Sequence, residues 1–165
     1  MKNKFVLTMD FVVVVGTLFG LMWAIGYSTP NVISPIDNYE TINSSILFSI
    51  ENADYLYIDK NINFTNPIEV NLKDNSKIQL EPGVYYWKAV GVRQTEIKTL
   101  TINTLVSLKL DKTENGFNVV NSGNVNLNVE VYNGSELVDE VYLESEESVE
   151  GSGDKFIGGM KWNLI

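Results

Sequence analysis

Val125-Asn126-Leu127-Asn128-Val129-Glu130-Val131-Tyr132 alternates apolar and polar residues without a break. Successive side chains of an extended strand leave opposite faces, so Val125, Leu127, Val129 and Val131 form one apolar face while Asn124, Asn126, Asn128 and Glu130 meet water. A helix would scatter the same residues around its circumference. The segment therefore reads as a half-buried strand of an antiparallel sheet.

The same reading extends in both directions. After Pro30 no window holds a helical apolar period, whereas short alternating runs recur with turn residues between them, the pattern of an all-β antiparallel β-sandwich. The expected strands lie at 44–51, 55–59, 68–72, 77–80, 84–92, 96–103, 106–112, 117–121, 125–132, 137–143 and 155–157. Asn115-Gly116 and Asn133-Gly134 predict tight hairpins, since both residue types tolerate positive φ. Ile46, Phe48 and Ile50 share a face, and Lys88 sets the register of 84–92: with the lysine outside, Tyr85, Trp87, Ala89 and Gly91 point inward.

Leu80-Glu81-Pro82-Gly83-Val84-Tyr85-Tyr86-Trp87-Lys88-Ala89-Val90-Gly91-Val92 resembles the penultimate-strand motif of fibronectin type III and related immunoglobulin-like domains of prokaryotic, above all archaeal, surface proteins. In those domains a Leu-x-Pro-Gly turn feeds Tyr-x-Trp and then a Val or Ala pair. Ile33-Ser34-Pro35 and Asn43-Ser44-Ser45-Ile46-Leu47-Phe48-Ser49 fit their first two strands. Val84 departs from the usual polar residue, and the Trp common on an early core strand is missing. The resemblance implies a fibronectin-III or immunoglobulin-like sandwich over 31–103. Gly116-Phe117-Asn118-Val119-Val120-Asn121-Ser122-Gly123-Asn124-Val125 is similar to segments of β-modules in archaeal and bacterial cell-surface proteins. Residues 104–165 are thus expected to form a second, small β unit, which at that size packs on the sandwich or extends it.

The first thirty residues differ from the rest. Residues 11–27 carry no charge, and 5–27 carry only Asp10. At 1.5 Å per residue the longer stretch spans about 34 Å as a helix, enough for a hydrocarbon core of about 30 Å. Ala24-Ile25-Gly26 offers a signal-peptidase site, but the stretch exceeds the usual h-region, and Trp23 and Tyr27 stand where an interfacial aromatic belt would. An uncleaved single-pass anchor is the expectation, with a cleaved signal peptide as the alternative. Lys2 and Lys4 keep the N-terminus cytoplasmic, and the next Lys or Arg is Lys60, so 31–165 is expected to face outward. Gly16, Gly20 and Ala24, spaced by four, share a helix face that a second copy of the helix would approach closely.

The chain of 165 residues is 44% hydrophobic, with 12 Lys and Arg against 21 Asp and Glu, a net charge of −9, and neither Cys nor His. That charge repels phosphate backbones, so no nucleic-acid partner is expected. Without Cys and His there is no thiolate metal site, catalytic thiol or histidine base. A pair of carboxylates is the one remaining route to hydrolysis, and the acids sit in solvated runs, so no enzyme, catalytic residue or cofactor is expected. Between 136 and 154 the acids meet no Lys or Arg; the run reads as a solvated face and not as a metal site. Asp111-Lys112-Thr113-Glu114-Asn115-Gly116 begins like a calcium loop but ends on Ser122 where a bidentate Glu belongs, and is read as a hairpin turn. Asn43, Asn63 and Asn133 head Asn-x-Ser/Thr sequons.

These residues point to a membrane-anchored extracytoplasmic β-sandwich protein with a structural or adhesion-like interaction role, its partner a protein or a surface polymer. Two alternatives remain open: a carbohydrate-binding module using Tyr55, Tyr57, Tyr85, Tyr86, Trp87 and Tyr132 as a stacking platform, or an accessory subunit docked through its helix.

Overall fold

The computed structural model describes residues 2–26, 29–72, 77–114 and 116–160, with the helix side chains described at Val6 and 8–23. The apolar stretch forms α1 (Lys2–Gly26). Strands then follow one another: β1 (Asn31–Ser34), β2 (Tyr39–Thr41), β3 (Ser45–Leu47), β4 (Ser49–Glu51), β5 (Tyr55–Asp59), β6 (Ile68–Asn71), β7 (Lys77–Gln79) and β8 (Gly83–Val90). The series continues with β9 (Lys98–Ile102), β10 (Leu108–Lys112), β11 (Phe117–Asn121), β12 (Leu127–Asn133), β13 (Glu136–Leu143), β14 (Ser148–Gly151) and β15 (Lys155–Gly159). The all-β character read from alternation is what the described residues after the helix display.

The chain forms two compact units: Met1–Asp37, Leu47–Ser76 and Tyr85–Thr99 make the first, and Asn38–Ile46, Lys77–Val84 and Leu100–Ile165 the second. In the first unit β1 pairs antiparallel with β4, and β5 lies between β6 and β8, antiparallel to both. Leu56 stands opposite Val70 and Ala89, and Ile58 opposite Ile68 and Trp87. Phe48, Leu56, Ile58, Tyr85, Trp87 and Ala89 are buried. The Trp87 ring, 0% exposed, meets Phe48 edge to face at 5.2 Å and 81°. Lys88 takes the opposite face, so the register it predicts is the one observed. Gly91 is required where it stands, because a Cβ would run into the carbonyl oxygen of Asn52.

In the second unit β11 lies between β10 and β14, and β12 between β13 and β15, every one of these pairs antiparallel. Both three-stranded sheets feed one apolar cluster: Val119, Leu127, Val129 and Leu143 are buried, with Leu108, Phe117, Val125, Val141, Val149 and Phe156 packed against them. Phe117 and Phe156 meet edge to face at 5.7 Å. A parallel pair also occurs, β2 with β9 through Glu40 opposite Thr101 and Thr41 opposite Ile102, so the expected sheet is not antiparallel throughout.

Five expectations need correction or restriction. The strand expected over 44–51 is two, β3 and β4, which pair with β7 and β1 in separate sheets, so Ile46 and Ile50 do not share one sheet face. Residues 148–151, expected to belong to a solvated acidic face with no strand of its own, form β14, where Val149 pairs with Val119 and reaches the core. Asn124 is half-buried instead of freely solvated, its carboxamide tied into the fold as described below. The β10–β11 hairpin is present, closed by the Thr113 N–H to the Gly116 carbonyl at 2.9 Å, but Asn115 lies outside the described residues. The expected membrane span is not met as such: among the described residues no helix is long and apolar enough to cross a membrane. Phe5, Leu7, Ala24 and Tyr27 of that span lie outside the described side chains.

Candidate functional site

The segment Asn121-Ser122-Gly123-Asn124 carries β11 out of its sheet, where backbone groups lose their ladder partners and need others. The Asn121 carboxamide, 0% exposed, supplies four. Its Nδ2 donates to the carbonyls of Val125 at 2.8 Å, Glu144 at 3.0 Å and Leu143 at 3.3 Å, while Oδ1 accepts the Gly123 N–H at 3.1 Å. Asn124 does the same one turn on: Oδ1 accepts the Leu105 N–H at 2.7 Å, and Nδ2 donates to the carbonyls of Ile42 at 2.7 Å and Asn103 at 2.9 Å. Ser145 Oγ donates to the Gly123 carbonyl at 2.7 Å, and a Cβ on Gly123 would collide with the carbonyl oxygen of Leu105.

The segments so tied line a cleft of about 510 Å³. Its walls are hydroxyls and carboxamides from Asn43, Ser44, Ser45, Gln79, Ser122, Asn124 and Ser145, with Lys77 and Glu146 the charged residues and Ile42 and Leu105 the apolar ones. Glu146 enters with φ +66°, held there by its N–H to the Asn121 carbonyl at 2.9 Å. A side chain in that region costs on the order of 1 kcal/mol that glycine would not. Sequence reading missed this cleft, since its walls come from five separated stretches. The available signal was the cluster of small polar residues at 121–124 interrupting two apolar strands.

Of the six aromatics considered for a stacking platform, Tyr85 and Trp87 are core residues and Tyr132 belongs to β12 in the other unit. Tyr55, Tyr57 and Tyr86 do share the outer face of β5 and β8, where Tyr57 stands opposite Lys88 and Tyr86 opposite Asp59. Burial, then the hydrogen bond with Glu69, raises the Tyr57 phenol above its ordinary pKa. The adjoining loop is organised by Asp59, whose carboxylate accepts the N–H groups of Asn61 and Asn66, each at 2.9 Å, and is thereby held below the usual carboxylate range.

The acidic run spreads its carboxylates over local backbone donors. Asp154 accepts the Gly134 N–H at 3.0 Å, Glu147 the Glu144 N–H at 2.8 Å, and Asp139 the Glu140 N–H at 2.9 Å. Among the described residues no group of three or more metal-ligating side chains converges. Tyr132 donates to Glu130 at 2.7 Å, and that bond, followed by burial, raises its phenol's pKa. Asp111 pairs with Lys109 at 2.9 Å beside the hairpin. Asn43, Asn63 and Asn133 are all exposed; the Asn43 Oδ1 accepts the Ser45 N–H at 2.8 Å. Gly16 and Gly20 have open space where a Cβ would stand, and Ala24 lies outside the described side chains.

No family model matches this sequence, and no curated protein matches it. Among solved structures it is similar to one described as the crystal structure of the class 5 fimbriae chaperone CfaA, at 14% identity and a TM-score of 0.28, over 82% of this chain and 94% of that one.

Proposed function

We propose that this chain is a membrane-anchored extracytoplasmic protein whose β units form fibronectin-III or immunoglobulin-like sandwiches, and that it works by binding at the cell surface. The observation that carries the reading is the apolar run of the sequence, 5–27 with Asp10 its one charge, and the exposure of its apolar side chains on α1 supports it. Phe11 is 69% exposed, Phe19 73%, Met22 73% and Trp23 67%, on a helix whose described side chains are all exposed. A helix that is apolar on every side requires an apolar medium or an apolar partner. The sequence beyond the described side chains, Phe5 and Leu7 before and Ala24 to Tyr27 after, lengthens the same apolar run. Lys2 and Lys4 orient it with the N-terminus inside. Pairing of two helices across Gly16, Gly20 and Ala24 fits the same arrangement, as does glycan attachment at Asn43, Asn63 or Asn133 in a host with that machinery.

Presentation of loops, sheet faces and the polar cleft to a protein or surface polymer is the work assigned to the outer part, without catalysis, cofactor or nucleic acid. Protease added to intact cells is expected to digest residues 31–165 and leave an N-terminal stub that resists alkaline extraction from the membrane. A protected C-terminal part, or a stub extracted with peripheral proteins, overturns the reading.

A further inference from the structure

We propose that the cleft of the second unit is a binding site for a neutral carbohydrate. The proposal rests on reading the outer part as a binding module, and it names what that module takes. Five lining groups have polar atoms that the fold leaves uncommitted among the described residues: Nδ2 of Asn43, the hydroxyls of Ser44 and Ser45, the carboxamide of Gln79 and the carboxylate of Glu146. Donors and acceptors are thus both on offer. Planar carboxamides and carboxylates engage two neighbouring sugar hydroxyls at once, and each hydroxyl both donates and accepts.

Charge and shape argue against the competing ligands. An anion would meet Glu146 as well as Lys77, which leaves the lining without net positive charge on a chain of net charge −9. A peptide needs a pocket for an apolar or aromatic anchor, and the lining has only Ile42 and Leu105 to offer. The volume, about 510 Å³, lies within the ordinary range of small-ligand sites. The floor is already rigid, since Asn121 and Asn124 hold the lining segments in place, so little ordering is left for the ligand to impose. Glu146 adds a second, independent observation: a strained backbone places a carboxylate in the cleft where glycine would relieve the strain and remove the acceptor. With no aromatic ring in the lining for a sugar to stack on, the expected Kd is about millimolar.

The test uses the full chain, made in a host without N-glycosylation because a glycan on Asn43 would lie at the cleft, and kept in a detergent without a sugar headgroup. Saturation-transfer NMR is run with the methyl glycosides of glucose, galactose, mannose and N-acetylglucosamine. At least one is expected to receive saturation from the protein. Gln79→Ala and Glu146→Gly are each expected to weaken that binding about 10-fold, roughly what one good hydrogen-bonding contact supplies. Glu146→Gly should at the same time keep or raise the melting temperature, which separates lost recognition from lost folding. Absence of transfer to all four sugars overturns the proposal, as does sugar binding that both variants retain, or binding of a Ser/Asn-rich peptide alone. None of these outcomes alters the protease result, so failure of the sugar site and failure of the anchored topology are told apart.

Discussion

Replacing Asn121 tests whether the carboxamide network or simple filling of space holds the second unit together. Asn121→Ala removes four hydrogen bonds from a side chain that is 0% exposed. At about 1 kcal/mol net for each bond, with carbonyls left unpaired but partly rehydrated and a small void added, the expected loss is about 3–5 kcal/mol. Asn121→Asp separates the two causes. It fills the same space and keeps the acceptor for the Gly123 N–H, but sets a carboxylate oxygen against the carbonyls of Val125, Leu143 and Glu144 in place of a donor. At neutral pH it should therefore be at least as damaging as alanine, and it should recover in acid as the carboxyl regains a proton to donate. Urea unfolding of the full chain reads the loss, and amide exchange at Val119 and Leu127 locates it, since both flank Asn121 in the same core. An aspartate variant milder than alanine at neutral pH, or an alanine variant within 1 kcal/mol of the parent, refutes the reasoning.

Two further outcomes are expected in the first unit. Trp87→Ala should cost about 3–5 kcal/mol, as a buried aromatic does, while Trp87→Phe should cost less than half of that, because among the described residues Trp87 Nε1 has no hydrogen-bond partner and its removal recovers part of the cavity cost. Equal losses in thermal unfolding would show the indole N–H to be satisfied. Asp59 has a depressed pKa when folded, so its contribution is present above the unfolded carboxylate value of about 3.9 and is lost as pH falls through the folded value. The melting temperature of Asp59→Asn should lie below the parent's at neutral pH and converge with it in acid; a gap independent of pH would rule out this role.

Much of the strand content was legible because its signal is local. Residues 55–59 and 117–121 are bounded as expected, since both runs are bracketed by turn residues. Lys88 alone sufficed to orient β8, for a one-residue slip would have buried its ammonium and exposed Trp87. The strands left out, β2 and β14, are three and four residues long, too short to display a period. In β14 only Val149 is apolar, and it becomes a strand because β11 offers a ladder edge and the core accepts one side chain. Asn124 departs from the expected water-facing position for a related reason. The period-two face was extended backward through Val125, but the strand begins at Leu127, and before it the chain turns to let Asn124 reach Leu105, Ile42 and Asn103.

The two asparagines also explain how a unit without cysteine or histidine holds its irregular parts. Where strands end, backbone N–H and C=O groups leave their ladders and must be paired if they stay buried. Asn121 and Asn124 between them accept two backbone N–H groups and donate to five carbonyls, drawn from the segments around 42, 103–105, 123–125 and 143–144. A carboxamide is the side chain suited to this, because it offers a donor and an acceptor without a charge that burial would penalise. A network satisfied on all sides is rigid, and its rigidity extends to Asn43 and Glu146, which line the cleft beside these same segments. The residues that fix the loops of the second unit are therefore the ones that preorganise its cleft, and a change at Asn121 should disturb ligand recognition and stability together, whereas Gln79→Ala should disturb recognition alone.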